Sequence, residues 1–267
     1  ELHRHKPARE LNRAILTANG GTAGGGGGSG GGISIACHTF FATGSVLRAV
    51  GAPGGHTNDG GGGGGRIAVP YDPVAEGGES PSTLTLSTAP GSGLYGDVGT
   101  IYFPDNRFLS ETFLHSGQWM SPNFTNWSPS ALTVSNGWLR LPSAGFRLTV
   151  TNDLAVRGTN ANLHALQLVD PVISCGGAVR LDSASLHLFS TGGTNAAVLH
   201  CAGNLTLTNG SRLHVYAGQT NPLTTNYGAL VSVGGDMTLD TNSWVYPYSH
   251  STNGGSARFE MRQLILA

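Results

Sequence analysis

A glycine motif in the first half of the chain fits the pattern of a dinucleotide-binding loop. Residues 91–96 read Gly-Ser-Gly-Leu-Tyr-Gly, which matches GxGxxG. In dinucleotide-binding proteins this loop opens a helix whose N-terminus faces the pyrophosphate. Here residues 97–103 follow, which read as a turn and a strand, and the only lysine of the chain is Lys6. The sequence therefore predicts no nucleotide cofactor.

Ten histidines raise the question of a metal site. His3 and His5 lie together near the first residue, and His187 and His214 occupy matching places in neighbouring repeats. No HExxH motif and no carboxylate-rich calcium loop accompanies them. On adjacent strands in register, His187 and His214 would stack about 4.8 Å apart, on the outward side. We interpret this pair as a surface ladder and predict no metal ligands.

Aspartates could serve as catalytic groups if several of them converged on one face. The aspartates of the second half are scattered along the sequence: Asp153, Asp170, Asp182, Asp236 and Asp240. Two of them directly follow strand-like segments, where turn-forming aspartate is common. No local signature of a Ser-His-Asp triad is present. We predict no catalytic residues, and a carbohydrate-active β-helix enzyme remains the second alternative function.

The three cysteines include one pair at matching repeat positions. Cys175 and Cys201 each precede a similar strand, so adjacent coils would bring their Cα atoms to about 5 Å, within disulfide range. A disulfide between them and two free thiols are both consistent with the sequence. Cys37 is expected to be unpaired within the chain.

Two further groups of residues are candidates for binding or carrying carbohydrate. The aromatic side chains of Trp119, Phe124 and Trp127 could form a platform on which a sugar stacks, although packing over the side of the protein is the simpler interpretation. Four Asn-x-Ser/Thr sequons are candidate glycosylation sites in an exported protein: Asn123, Asn126, Asn204 and Asn209.

Composition excludes several classes of partner. Charged residues make up 11% of the 267 residues and the net charge is −1, so no global field recruits nucleic acid. No run of 18 apolar residues is present, and we predict no membrane-spanning helix. Basic residues cluster near the start, where we interpret them as a solvated arm, with a polyanion-binding tail as the alternative: His3, Arg4, His5, Lys6, Arg9 and Arg13.

Internal repeats give the strongest structural signal. Ile33, Ile67 and Ile101 begin three short strand-like segments at intervals of 34 residues, and the glycine pairs at 20–21 and 54–55 keep the same interval. In the second half, Cys175, Cys201 and Val233 begin similar segments of alternating apolar and polar residues. Short strands with a period near 30 predict a β-solenoid, with a β-sandwich as the structural alternative. We expect the three isoleucines to form one inward column.

The long glycine runs have a structural interpretation. Residues 24–28, 30–32 and 60–65 are glycine, and glycine lets successive backbones approach closely. We predict that the two runs lie side by side as extended, polyproline-II-like segments joined by hydrogen bonds. A pair of disordered loops is the alternative.

These segments resemble a family of large bacterial surface proteins with glycine-rich, right-handed β-helix repeats. That family carries GGGGSGGxIxI, then GGxxGGGGGGGRIAxxY, then GTIY, and residues 24–35, 54–71 and 99–102 are similar to these motifs. The similarity covers residues 14–103, whereas residues 132–239 share only the strand-and-turn style. The resemblance implies an all-β fold, a right-handed parallel β-helix (β-solenoid) with glycine-rich turns, on an exported, adhesin-like or matrix-like protein.

The resulting expectation is one continuous domain in three parts. Residues 1–107 form glycine-rich coils with the basic arm, residues 108–130 form an aromatic excursion or loop, and residues 131–267 form further coils. We expect a leader or a longer upstream region to have preceded Glu1. The expected function is that of a non-enzymatic, extracellular or cell-surface structural protein that forms filaments or matrix. An adhesin module that binds glycan or another surface is the first alternative.

The last residues of the chain predict self-assembly. Stacked repeats need polar caps, because a terminal coil exposes strand edges and apolar columns to water. The chain ends in an apolar, strand-like stretch that contains Leu264, Ile265 and Leu266, with no such cap. We expect copies of the chain to bind end to end through these residues. A fragment of a longer solenoid would show the same bare end.

Overall fold

A computed structural model describes residues 13–22, 24–56, 58–76, 83–94, 96–191, 196–220, 227–252 and 254–267. These residues form 25 β-strands and no helix, and every strand pairing is parallel. The protein is therefore all-β with parallel sheets, consistent with a parallel β-helix or solenoid. The basic arm at residues 1–12 lies outside the described residues. No helix among them is long and apolar enough to cross a membrane.

Four sheets run along one direction of the molecule. The three-stranded sheet contains β1 (Ile15–Thr17), β3 (Ser45–Arg48) and β5 (Leu84–Ser87). The nine-stranded sheet contains β2 (Gly32–Ser34), β4 (Arg66–Ala68), β6 (Thr100–Tyr102), β8 (Gly117–Met120), β11 (Trp138–Leu141), β14 (Ala165–Val169), β17 (Ser185–Phe189), β20 (Arg212–Tyr216) and β23 (Trp244–Tyr248).

The other two sheets begin near the middle of the chain. The seven-stranded sheet contains β7 (Thr112–Phe113), β10 (Leu132–Ser135), β13 (Leu154–Arg157), β16 (Val179–Asp182), β19 (Leu205–Thr208), β22 (Asp236–Leu239) and β25 (Gln263–Leu266). The six-stranded sheet contains β9 (Asn126–Trp127), β12 (Arg147–Val150), β15 (Val172–Cys175), β18 (Ala197–Cys201), β21 (Ala229–Val233) and β24 (Ala257–Glu260). From β7 onwards the chain visits the seven-, nine- and six-stranded sheets in turn, so each coil holds three strands.

The predicted isoleucine column is confirmed. Ile33 pairs with Ile67 and Ile67 with Ile101, and all three side chains are buried. Trp119 pairs with Ile101 and continues the column into the second half. Because side chains alternate along a strand, every second residue joins an inward column and the residues between them face outward.

Residues with a left-handed backbone turn the chain from the seven-stranded to the nine-stranded sheet. Asn136, Ser183, Asn209 and Asn242 have φ between 49° and 62° and follow β10, β16, β19 and β22. Asparagine tolerates this conformation better than most residues. The left-handed backbone at these turns therefore explains why asparagine recurs after these strands.

The two glycine runs lie side by side, as predicted. Gly27 N donates to Gly60 O (2.8 Å), and Gly30 N donates to Gly63 O (2.9 Å). Hydrogen bonds also run between segments of different coils, since Gly62 N donates to Ala52 O (2.9 Å) and Ala52 N to Gly28 O (2.8 Å). Here backbone packs directly on backbone, in place of an apolar column. The polyproline-II conformation itself stays a prediction.

The 34-residue interval does not hold for the strand pairing at residues 15–20, so this part of the repeat prediction is wrong. Thr17 pairs with Arg48, and Gly20 N donates to Val50 O, so neighbours there are about 31 residues apart. The glycine pairs at 20–21 and 54–55 are thus not adjacent. Paired residues are 31 positions apart between β1 and β3 (Ile15 and Val46) but 39 positions apart between β3 and β5 (Val46 and Thr85), so equal spacing in the sequence does not give the register of this sheet.

We expect Ile67→Ala to lower the free energy of unfolding by about 2–5 kcal/mol, because it leaves a cavity in a buried column. Arg66→Ala on the same strand, where the side chain is exposed, is the matched control and should change stability by less than about 0.5 kcal/mol. Urea denaturation followed by circular dichroism measures both. Equal effects of the two substitutions would contradict the column.

Gly62→Ala tests the backbone contacts of the glycine runs. A Cβ at Gly62 would overlap the carbonyl groups of Gly28 and Gly27, whereas a Cβ at Gly32 meets nothing within 4 Å. We expect Gly62→Ala to cost about 1–3 kcal/mol of stability, while Gly32→Ala is neutral or stabilising because alanine restricts the unfolded chain. Thermal unfolding compares the two. A neutral Gly62→Ala would show that the runs are not closely packed.

Candidate functional site: an outward ladder of aromatic rings

The predicted aromatic excursion at residues 108–130 is wrong. This segment supplies β7, β8 and β9, one strand to each of the three long sheets. Trp119 is buried, stacks on Phe103 at 5.4 Å between ring centroids and donates from Nε1 to Asn106 Oδ1 (3.0 Å). Phe124 packs edge-on against Phe146 at 5.1 Å, and Trp127 is half-buried against the core. These aromatics fill the interior because they lie at inward positions, so they offer no sugar platform.

The outward aromatic surface lies on the last three strands of the nine-stranded sheet. His187 stacks on His214 at 4.3 Å and 1° between ring planes, and His214 stacks on Tyr246 at 4.8 Å. We call this set the first ring column. The histidine ladder predicted from the repeats is confirmed by this stacking and by the register of β17 and β20.

A second ring column runs beside the first. Phe189 stacks on Tyr216 at 4.2 Å, and Tyr216 stacks on Tyr248 at 4.3 Å. Rings of the same strand are nearly coplanar across the two columns, with 6° between His187 and Phe189. The ring planes therefore stand upright on the sheet and are roughly perpendicular to the direction in which the strands stack.

Two tryptophans flank these columns. Trp138 lies near His187, with 6.2 Å between ring centroids and 14° between planes. The Nε1 atom of Trp138 donates a hydrogen bond to Gln167 Oε1 (3.3 Å). Trp244 lies beside Tyr246 at 6.3 Å, with an exposed fraction of 54%. Trp244 thus extends the ring surface sideways on β23, whereas Trp138 lies on β11, two strands before the first ring of the ladder.

The electrostatics of the ring surface keep both histidines neutral. Burial lowers the pKa of His187 to about 3, and repulsion from Arg140, Arg212 and, when it is protonated, His214 adds to this effect. Burial and Arg212 lower the pKa of His214 to about 4. His214 Nδ1 also lies 3.2 Å from the Tyr248 hydroxyl group. Both stacked imidazoles are therefore uncharged at neutral pH.

The ladder leaves few ring faces free for a ligand. Each ring inside a column has both faces near a neighbouring ring, so a sugar cannot stack on it. In the last layer, Trp244, Tyr246 and Tyr248 have ring neighbours on one side only among the described residues. Flat ring faces are therefore available at the last strand, and ring rims are available along the rest of the surface.

The cysteine pair is aligned as expected but not bonded. Cys175 and Cys201 pair in register on β15 and β18, and both are buried free thiols. Cys37 is also a free thiol, as expected. Cys175 Sγ donates to Asn152 O (3.1 Å) and Cys201 Sγ to Gly177 O (3.4 Å). The hydrogen bond with Cys175 and burial raise the pKa of the Cys201 thiol. The thiols thus satisfy carbonyl groups of the turns, which corrects the candidate disulfide.

The aspartates considered for catalysis are engaged in turns and ion pairs. Asp153 accepts from Ala178 N (2.7 Å) and pairs with Arg180, and both interactions lower its pKa. Asp170 accepts from Thr191 N (2.7 Å), and Asp236 pairs with Arg262 (2.7 Å). Asp182 accepts from the Asn209 amide (2.7 Å) and Asp240 from Thr241 N (2.7 Å). In the described part of the chain, no cluster of three or more His, Cys, Asp or Glu could hold a metal ion.

The remaining predicted residues lie at the surface. All four sequon asparagines are exposed: Asn123, Asn126, Asn204 and Asn209. Leu264 and Leu266 extend the inward columns of Met237 and Leu239 on the last strand, whereas Ile265 faces outward. Their exposed fractions are 51%, 73% and 37% for Leu264, Leu266 and Ile265.

Sequence reasoning found the two histidines but missed the tyrosines and Phe189. The alternating spelling of the three strands, Leu-His-Leu-Phe, Leu-His-Val-Tyr and Val-Tyr-Pro-Tyr, carried the signal. The chain matches no known family model, no curated protein and no solved structure. The fold and the ring ladder are therefore the basis for any functional conclusion.

Acid should destabilise the protein through the two stacked histidines. Their pKa values in the folded state (about 3 and about 4) lie below the ordinary value of 6.5. The unfolded chain therefore binds more protons between these values, and the free energy of unfolding falls as the pH drops below about 6.5. We expect His187→Phe/His214→Phe to reduce this loss by about 1–2 kcal/mol between pH 7 and pH 5.

Urea denaturation at a series of pH values measures this difference. His200→Phe is the control, because His200 is exposed on the six-stranded sheet and should keep the pH dependence unchanged. Buried His115, whose pKa burial lowers to about 4, remains in both variants and leaves a residual slope. The same slope in the double variant and in the unmodified protein would refute the prediction.

Proposed function

We propose that this protein is an extracellular structural protein of a bacterial surface, which assembles end to end into filaments or matrix. In this proposal the fold is a right-handed parallel β-solenoid with glycine-rich turns. The observation that carries the proposal is the open face of the last coil, which is formed by β23, β24 and β25. Each of these strands pairs on one edge only among the described residues.

The open face offers three kinds of contact to another coil. Strand edges present unpaired backbone donors and acceptors, which readily pair with a further strand. Leu264 and Leu266 present the ends of two apolar columns, which a further inward column would cover. The rings of Trp244 and Tyr248, with exposed fractions of 54% and 38%, would gain a stacking partner. Only a parallel coil in register supplies all three.

The coil that covers this face can come from the same chain or from a second copy. A second copy requires unlike surfaces at the two ends of the molecule, and such a heterologous contact repeats into a filament unless the rotation closes a ring. The continuous inward columns favour a stiff rod, because each coil contacts only its neighbours along the axis. A rod of this kind suits a stalk or matrix component.

A glycan-binding adhesin is the second candidate function. The free ring faces of Trp244, Tyr246 and Tyr248 favour it, since flat aromatic faces pack against the apolar faces of sugars. The candidate sugar-binding platform is therefore the last layer of the ladder, and not residues 119–127. Occupation of this layer by a second copy would block a sugar, so the two functions compete for one surface.

Sedimentation of the full chain tests the assembly. We expect mass to increase with protein concentration, and Leu264→Lys to abolish this increase because it buries a charge in the contact. Leu114→Lys is the matched control, since Leu114 has a similar exposed fraction (55%) and lies between β7 and β8, away from the open face. A protein that stays monomeric at high concentration would contradict assembly by this chain. Polysaccharide retention that Trp244→Ala abolishes would then favour the adhesin.

A further inference from the structure

The outward rims of the two ring columns form a strip along the direction of strand stacking, which we call the rim strip. Three nearly coplanar ring pairs lie edge to edge across it: His187 with Phe189 at 6.0 Å, His214 with Tyr216 at 6.3 Å, and Tyr246 with Tyr248 at 6.1 Å. Successive layers of the first column are 4.3 and 4.8 Å apart, so the three layers extend about 9 Å, the sum of these two steps. This length matches two to three joined aromatic rings.

The rim strip presents ring edges, not ring faces, to a ligand that lies on it. The rim of an aromatic ring is the positive part of its quadrupole, and the face of a second ring is the negative part. A flat π-system that lies over the rims therefore makes an edge-to-face contact with every layer. A sugar offers C–H groups and hydroxyl groups but no π-face, so the rims discriminate against it.

Positive charge adjoins the rim strip on the side of the first column. Arg212 lies on the same strand and face as His214, and its guanidinium group hydrogen-bonds to the neutral amide of Asn162. Arg140 lies in the line of His187, with Gln167 between them, and pairs with Asp97. Arg212 is therefore a cation with a neutral hydrogen-bonding partner, beside two imidazoles whose pKa values are lowered mainly by burial. This charge favours a negatively charged ligand over a positively charged one.

We infer that the rim strip binds an elongated, planar aromatic anion. The flat face of the ligand lies on the ring rims, its long axis follows the stacking direction, and its negative group lies beside Arg212. The binding site is formed by three strands within one chain, so it does not depend on end-to-end assembly.

Titration of the full chain with two flat dyes of opposite charge tests this site. Congo red, a sulfonated anion, is expected to bind in a saturable way at a concentration where sedimentation reports monomers. Thioflavin T, a cation, is expected to bind at least about tenfold more weakly, because it meets the charge of Arg212 with the wrong sign. Difference absorbance gives the affinity of Congo red, and fluorescence gives that of thioflavin T.

Paired variants separate the site from general dye binding. Arg212→Gln should weaken Congo red binding about three- to tenfold, as the loss of one charge contact does. Arg147→Gln, which removes an exposed arginine from the six-stranded sheet, should not change it. Phe189→Ser should weaken binding by a similar factor through the loss of one ring contact, and Leu114→Ser should not. Far-ultraviolet circular dichroism checks the fold of each variant, and Arg212→Gln decides if Phe189→Ser unfolds.

Three results would overturn the inference. Congo red that does not saturate, thioflavin T that binds as tightly as Congo red, or control variants that lose as much affinity as Arg212→Gln and Phe189→Ser would each exclude this site. Loss of assembly in Leu264→Lys with Congo red binding intact would leave the rim strip in place, so the two proposals fail separately.

Discussion

Backbone hydrogen bonds between successive parallel strands are the constraint on which the rest of this structure depends. They place each residue directly above its partner in the previous coil, at about 4.8 Å. Side chains of one position therefore form a column whether they are apolar, aromatic or polar. Ile33, Ile67 and Ile101 pack inside for this reason, and His187, His214 and Tyr246 stack outside for the same reason. The same strand register therefore aligns the inward residues of the core and the outward rings of the candidate site.

Along this common axis the chain uses two kinds of interior. In the first coils, glycine backbones approach one another so closely that carbonyl and amide groups form the contact, as between Gly62 and Ala52. From β7 onwards each coil has three strands, and large apolar side chains fill the space between sheets. Trp119 lies at the junction, where it continues the isoleucine column into the wider coils.

The sequence predicted those parts of the structure in which successive coils repeat the same pattern of residues. Apolar residues 34 positions apart, and cysteines followed by alternating strands, reported true partners because the strand pairing preserves such positions. It failed where a coil changes length, since Gly20 and Gly54 keep the interval but not the contact. It also failed at residues 108–130, where short strands with large aromatics looked like an insertion. Of the ring surface only the histidines were predicted, because Tyr216, Tyr246 and Tyr248 become a site only when three coils are superposed.

The glycine-built coils also have a consequence for how this molecule responds to temperature. The heat capacity change of unfolding grows with the apolar surface that becomes exposed and is reduced by exposed polar surface. Coils whose contacts are mainly peptide groups expose little of the first and much of the second. Their stability therefore varies less steeply with temperature than that of the coils filled by leucine and valine. On cooling, where hydrophobic contacts weaken, the glycine-rich coils are therefore expected to lose less stability than the coils filled by leucine and valine.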